Sequence, residues 1–92
     1  MFARVGHSRI DPAQFEAARK ALETEILPRV RQMPGVVAGY WLAPVEGKGL
    51  TIVVFENKQA AEAPVPNAQP GDTPAPGVTI ESVEIREVVG QI

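Results

Sequence analysis

The sequence predicts a single α+β domain built on one antiparallel sheet with its helices on one face. Two observations carry that prediction. Strand-type and helix-type runs follow one another in the order strand, long helix, strand, strand, short helix, strand. The 92 residues, 45% apolar and 22% charged, hold one core and no second domain. A third observation, apolar side chains on both faces of two strands, bears on assembly.

The first strand covers Phe2–Ile10. Alternation puts Ala3, Val5 and His7 on one face and Phe2, Arg4, Gly6 and Ser8 on the other. The run stops at a helix start. Asp11 is a favoured N-cap, Pro12 fits the first helical position where its missing N–H costs nothing, and Gln14 stands at N3 to complete a capping box. Ile10 and Phe15 take the flanking positions of a hydrophobic staple. From there Phe15, Ala18, Leu22, Ile26, Val30 and Met33 recur at helical spacing, with Glu16, Arg19, Lys20, Glu23, Arg29 and Arg31 largely outside that stripe. Pro28 lies inside the pattern, where it removes an i→i−4 hydrogen bond and is expected to kink the helix or tighten its last turn. Pro34-Gly35 ends it.

Residues 36–43 read as a second strand, Glu46-Gly47-Lys48-Gly49 as a turn, and residues 50–55 as a third strand, so the two strands make a hairpin. Asn57 can cap a helix beginning at Lys58, which Pro64 and Pro66 limit to about two turns. Residues 64–77 hold five prolines and two glycines and predict a stiff, extended loop within the single domain 1–92. A last strand over 78–89 places Val83, Ile85 and Val89 on one face and Ile80 and Val88 on the other. This order is the split βαββαβ pattern of a ferredoxin-like fold, with both helices on one face of the sheet.

A domain this short buries roughly 60–65% of the surface its unfolded chain exposes, so it gains from outside help. With no cysteine, a disulfide or a thiolate metal site cannot supply it. Strand 50–55 sets Leu50, Ile52 and Val54 against Val53 and Phe55, and the final strand is also read as apolar on both faces. Helices on one side leave the other uncovered. A second copy of the chain is the simplest cover, so a homodimer through the helix-free face is expected.

The net charge of −2 and pI near 5.3 give no attraction to phosphate backbones or anionic lipid, so no nucleic-acid partner is expected. Met1 to Val5 run directly into a strand pattern without a signal-type apolar run, and no apolar stretch nears the ~20 residues of a membrane span. No membrane partner and a cytoplasmic location are the expectation.

Asp11-Pro12 opening a long helix, Pro28 near its end, then Met33-Pro34-Gly35-Val36-Val37-Ala38-Gly39-Tyr40-Trp41, and Thr51-Ile52-Val53-Val54-Phe55-Glu56-Asn57 before Ala60-Ala61-Glu62-Ala63, resemble the dimeric α/β-barrel superfamily. Within it the chain is most similar to the antibiotic-biosynthesis-monooxygenase-like group. The resemblance spans nearly the whole chain and rests on structural motifs. It implies a ligand cavity between helices and sheet and, in some members, cofactor-independent oxygenation of polycyclic phenols. Others degrade haem, isomerise lactones or have no known activity, so membership does not name a reaction. The monooxygenases bring an Asn, a Trp and sometimes a Tyr, His or Arg into their cavity. The Pro-rich loop departs from their usual second helix.

On that basis the catalytic candidates are His7, Tyr40 and Trp41, and the ligand-binding candidates are Arg4, Arg86 and Asn57. His7 is the only imidazole, hence the only histidine able to act as a base near neutrality or to ligate haem iron. The ordinary role for it is a half-exposed strand residue at a sheet face or dimer seam. Tyr40 and Trp41 are adjacent, so they point to opposite faces unless a bulge intervenes, and packing is the commoner role for each. Arg4 and Arg86 suit an anionic group or a phenolate, or else pair with Glu81, Glu84 or Glu87. Asn57 is accounted for by capping. No metal site is expected, nor any cofactor; haem is the one considered. Gly47-x-Gly49 precedes a strand and is no phosphate cradle, and Ser8 and Ser82 lie in no nucleophile context.

Two functions follow. One, by resemblance, is a cofactor-independent monooxygenase-like oxidoreductase acting on an aromatic or phenolic molecule. The other is a non-catalytic dimeric module that binds a small apolar ligand or a protein, with the loop 64–77 as a contact surface.

Overall fold

Why each run adopts its structure is visible at the boundaries. The computed structural model describes residues 1–92, with strands β1 (Phe2–Ile10), β2 (Val36–Val45), β3 (Lys48–Phe55) and β4 (Val78–Glu87). A long helical segment over 12–31 joins β1 to β2, and a short helix, Lys58–Glu62, follows β3. The strands form one open antiparallel sheet in the order β2-β3-β1-β4. This small α+β arrangement, with one main helix, is compatible with a ferredoxin-like fold. No helix is long and apolar enough to cross a membrane.

The long helix begins at Asp11, whose Oδ1 accepts from the Ala13 N–H at 3.0 Å, with Pro12 in the first position. The reciprocal half of the capping box does not form. The Asp11 N–H donates instead to the Gly77 carbonyl at 2.9 Å, and the Gln14 side chain turns to Asp11 Oδ2 at 3.3 Å. After Pro28 the last turn is tight, as expected, with i→i−3 bonds from Gln32 N–H to Arg29 at 3.2 Å and from Met33 N–H to Val30 at 3.0 Å. The turn ahead of Pro28, Leu22–Ile26, widens to π geometry, in which the Leu27 N–H donates to Leu22. A Pro ring clashes with the carbonyl four residues back, and one extra residue in the turn relieves that clash. The short helix spans five residues, not two turns, because Ala63 is already extended (φ −58°, ψ 140°). The residue before a proline is disfavoured in α conformation, and Pro64 follows it.

The hairpin is longer than its sequence suggests. Val45 pairs with Lys48 across a two-residue turn, Glu46-Gly47, whose φ values of 51° and 77° are both positive. That turn matches the twist of the flanking strands. Pro44 is tolerated because β2 is an edge strand.

Register divides the sheet into two faces. On the inner face, toward the helices, stand Phe2, Arg4, Gly6, Ser8 and Ile10 of β1, with Gly49, Thr51, Val53 and Phe55 opposite them on β3. The outer face carries Ala3, Val5 and His7, then Leu50, Ile52 and Val54 of β3, and Tyr40 and Leu42 of β2. The expectation for β4 fails here. A bulge opposite His7 and Ser8 skips Glu81, so Ile80 pairs with Ser8 and joins Val83 and Ile85 on the inner face. The outer face of β4 is polar (Ser82, Glu84, Arg86), and Val89 lies beyond the strand, almost fully exposed. Apolar residues on both surfaces therefore belong to β1 and β3, with Tyr40 and Leu42 extending the outer patch to β2.

The loop 64–77 is not a free extended segment. It runs back against β4, where the Gly71 N–H donates to Ile80 at 2.7 Å and the Ile80 N–H to Asp72 at 2.9 Å. It also supplies Ala75 to the core beside Ala18 and Ala21. A second cluster gathers Val53, Phe55 and Ala61, with Val30, Met33, Trp41 and Ile85 against it. The chain exposes 6025 Å² for 9.9 kDa, where a folded monomer of that mass exposes about 5200 Å².

Candidate functional site

The middle of the inner face is built from residues with little bulk. Gly6 pairs with Thr51 and Ser8 with Gly49, so four adjacent positions of the two central strands leave room beneath the long helix. The result is a cavity of about 450 Å³ between helix and sheet. Phe15, Leu22 and Ile26 of the helix face it from one side and Ile80 and Val83 of β4 from another, and residues 65–68 of the loop form part of its wall. The two core clusters each contribute to its lining, Ala18 and Ala75 from one, Val53 and Phe55 from the other.

Trp41 stands on this wall. Its indole lies along β2 over Gly39, where a Cβ would come within 2.9 Å of the ring, so only glycine leaves it that path. Arg4 also lines the cavity. Its Nη1 donates to the Ala61 carbonyl at 3.3 Å and its Nη2 to that of Ala68 at 3.5 Å. No carboxylate pairs with it, and burial lowers its pKa.

The other candidates stand elsewhere. His7 projects from the outer face, its Nε2 3.4 Å from Glu84 Oε1. Arg86 is on the same face and donates through Nε to Glu84 Oε2 at 3.2 Å. Hydrogen bonds from His7 first, then Arg86, hold the Glu84 carboxyl below its ordinary value. Tyr40 is exposed on the outer face. Asn57 Oδ1 accepts from the Ala60 N–H at 2.8 Å and caps the short helix outside the cavity. The structure thus brings Arg4 and Trp41 to one cavity, sets Tyr40 and Arg86 on the opposite surface, and leaves His7 at the cavity wall with its imidazole turned to that opposite surface. His7 contributes to the cavity wall, but its Nε2 is turned to Glu84 on the outer face, so its imidazole is not placed to ligate a haem held in the cavity.

Sequence reasoning passed over Thr51, Arg29 and residues 65–68 as parts of the wall. The available signal was the coincidence of small residues, Gly6, Ser8 and Gly49, at positions that a filled core would give to larger side chains. Chemically, the arrangement offers an apolar space, an aromatic wall, the hydroxyls of Ser8 and Thr51 and the guanidinium groups of Arg4, Arg19 and Arg29. No family model, curated protein or solved structure matches the chain.

Proposed function

We propose that the chain is a small-ligand-binding domain that takes an apolar or aromatic molecule between its long helix and its sheet. It works as a homodimer in the ferredoxin-like arrangement of dimeric α/β barrels, which its sequence resembles. The observation that carries this reading is the cavity itself. A volume of about 450 Å³ falls within the range of small-molecule sites, and its walls are mostly apolar with few polar groups. A void of this kind forfeits packing contacts when empty, and a ligand of matching shape restores them.

The outer face supports the dimer. Leu42, Leu50, Ile52, Val54 and Tyr40 make a continuous apolar patch beside the polar strip of β4.

An oxygenase reading has one observation in its favour, the presence of Arg4 and Trp41 in one cavity. A guanidinium favours the anionic form of a phenolic substrate, and such an anion can be oxidised by O₂ at an activated carbon, one oxygen atom entering as a carbonyl and the other leaving as water. The electrons come from the substrate. Oxygen uptake across a quinol panel separates the readings: none supports the binding domain, and turnover supports the enzyme.

Binding itself is tested by titrating the protein with neutral N-phenylnaphthylamine and following energy transfer from Trp41, the single tryptophan. Saturable quenching is expected. Its absence contradicts the reading.

A further inference from the structure

We propose that this cavity selects ligands with an apolar body and a single anionic head, and that Arg4 holds the head. The inference rests on the reading of the cavity as a ligand site and adds the chemical class of the ligand.

Arg4 is the one charged side chain rooted in the middle of the inner sheet face, between Phe2 and Gly6, with Val53 and Ile85 beside it on the neighbouring strands. Residues of that setting are normally apolar. A guanidinium has five N–H donors, and here two long hydrogen bonds to the backbone carbonyls of Ala61 and Ala68 use only part of them. The ion pairs of the chain involve His7, Arg19, Lys48, Lys58 and Arg86, and none involves Arg4. A half-buried cation without a counter-charge is unfavourable, and an anion arriving from outside supplies what the chain does not. Desolvation of Arg4 agrees with that geometry.

The wider lining points the same way. Among the charged side chains around the cavity are three arginines, Arg4, Arg19 and Arg29, against one carboxylate, Glu23. Glu23 is exposed and already engaged by Arg19 at 3.7 Å. The chain as a whole carries −2, so this local excess of positive charge runs against its overall balance. A guanidinium fork suits a carboxylate or phenolate oxygen, and the apolar walls suit a hydrocarbon or aromatic body.

The test compares two probes of one skeleton, anilinonaphthalene sulfonate and neutral N-phenylnaphthylamine, by their quenching of Trp41 in the folded protein. A charge-assisted hydrogen bond predicts that the anionic probe binds about tenfold or more tightly. Arg4→Met should bring the two probes to near-equal affinity, and Arg4→Lys should keep part of the preference, with near-UV circular dichroism unchanged in both. Equal affinities in the wild type, or a preference that survives Arg4→Met, overturns the inference while leaving the cavity as a ligand site. Failure of both probes removes the ligand site and the inference together. Should Arg4→Met not fold, displacement of the sulfonate probe from the wild type decides: decanoate is expected to compete at lower concentration than decanol, and equal competition overturns the proposal.

Discussion

Tyr40 and Trp41 are neighbours in β2 whose rings leave the sheet in opposite directions. The indole lies over Gly39 on the inner face, against the cluster of Val53 and Phe55, while the Tyr40 ring is 58% exposed on the outer face. The sheet is therefore a partition with an apolar surface on either side. One is incompletely filled by the chain's own helices, and the other presents Tyr40 and Leu42 to solvent.

The outer surface gives the first prediction. Ile52 sits at its centre, between Val5 and Tyr40. The wild type is expected to sediment as a dimer at micromolar concentration. Ile52→Glu should weaken that dimer by roughly a hundredfold or more, since burying an unpaired carboxylate costs about 3 kcal/mol or more. A wild type that sediments as a monomer would contradict the assembly.

The inner surface gives the second. A Cβ on Gly6 would meet only the Thr51 Cβ, at 3.8 Å, which is ordinary contact. A side chain there is accepted by the backbone and projects into the cavity beneath the helix. Gly6→Val should abolish quenching of Trp41 by N-phenylnaphthylamine and raise Tm, by about 4–8 °C if the gain is near 1 kcal/mol. Unchanged probe binding in this variant would place the probe elsewhere.

Two glycines of the loop separate backbone strain from crowding. Gly77 has φ +72° and a Cβ there would lie 2.7 Å from the Gln14 Cβ, whereas Gly71 has φ +91° with nothing within 4 Å. Gly77→Ala should destabilise by about 2 kcal/mol or more and disturb the Asp11–Gly77 hydrogen bond, and Gly71→Ala by only about 1 kcal/mol. Thermal melts of the two variants test this, and equal losses would show that the loop does not bear on the helix start.

Glu84 gives a pH dependence with a definite sign. Its carboxyl is held below its ordinary value by hydrogen bonds from His7 and Arg86. A depressed carboxylate binds fewer protons folded than unfolded, so its stabilisation is complete above the ordinary carboxylate range and fades as pH falls through the lowered value. The wild type should melt slightly higher than Glu84→Gln at neutral pH, and the two curves should converge as pH falls below that lowered value. The effect is small because the group is exposed. A difference that does not change with pH would contradict the sign.

Much of this was legible in the residues themselves. Alternation in β1 sorted Ala3, Val5 and His7 from Phe2, Arg4, Gly6 and Ser8 correctly, and Asp11 with Pro12 marked the helix start. What strict alternation could not reveal was the bulge that skips Glu81 and returns Ile80 to the inner face, because a bulge depends on the partner strand. The π turn ahead of Pro28 was equally out of reach. A proline announces a lost hydrogen bond, while the way the helix absorbs it depends on what the helix packs against. The resemblance implied a cavity between helices and sheet, but the residues that open it were not legible: Gly6 and Gly49 are ordinary strand glycines until register sets them in adjacent rows under one helix.

The most direct test of the account is amide shift mapping by two-dimensional NMR during titration with N-phenylnaphthylamine. Shifts are expected only on the inner face and its surroundings, at Gly6, Thr51, Val83 and the Trp41 indole N–H, with Val5 and Ile52 unmoved. Shifts centred on Val5, Tyr40 and Ile52, or none at saturating probe, would contradict that expectation.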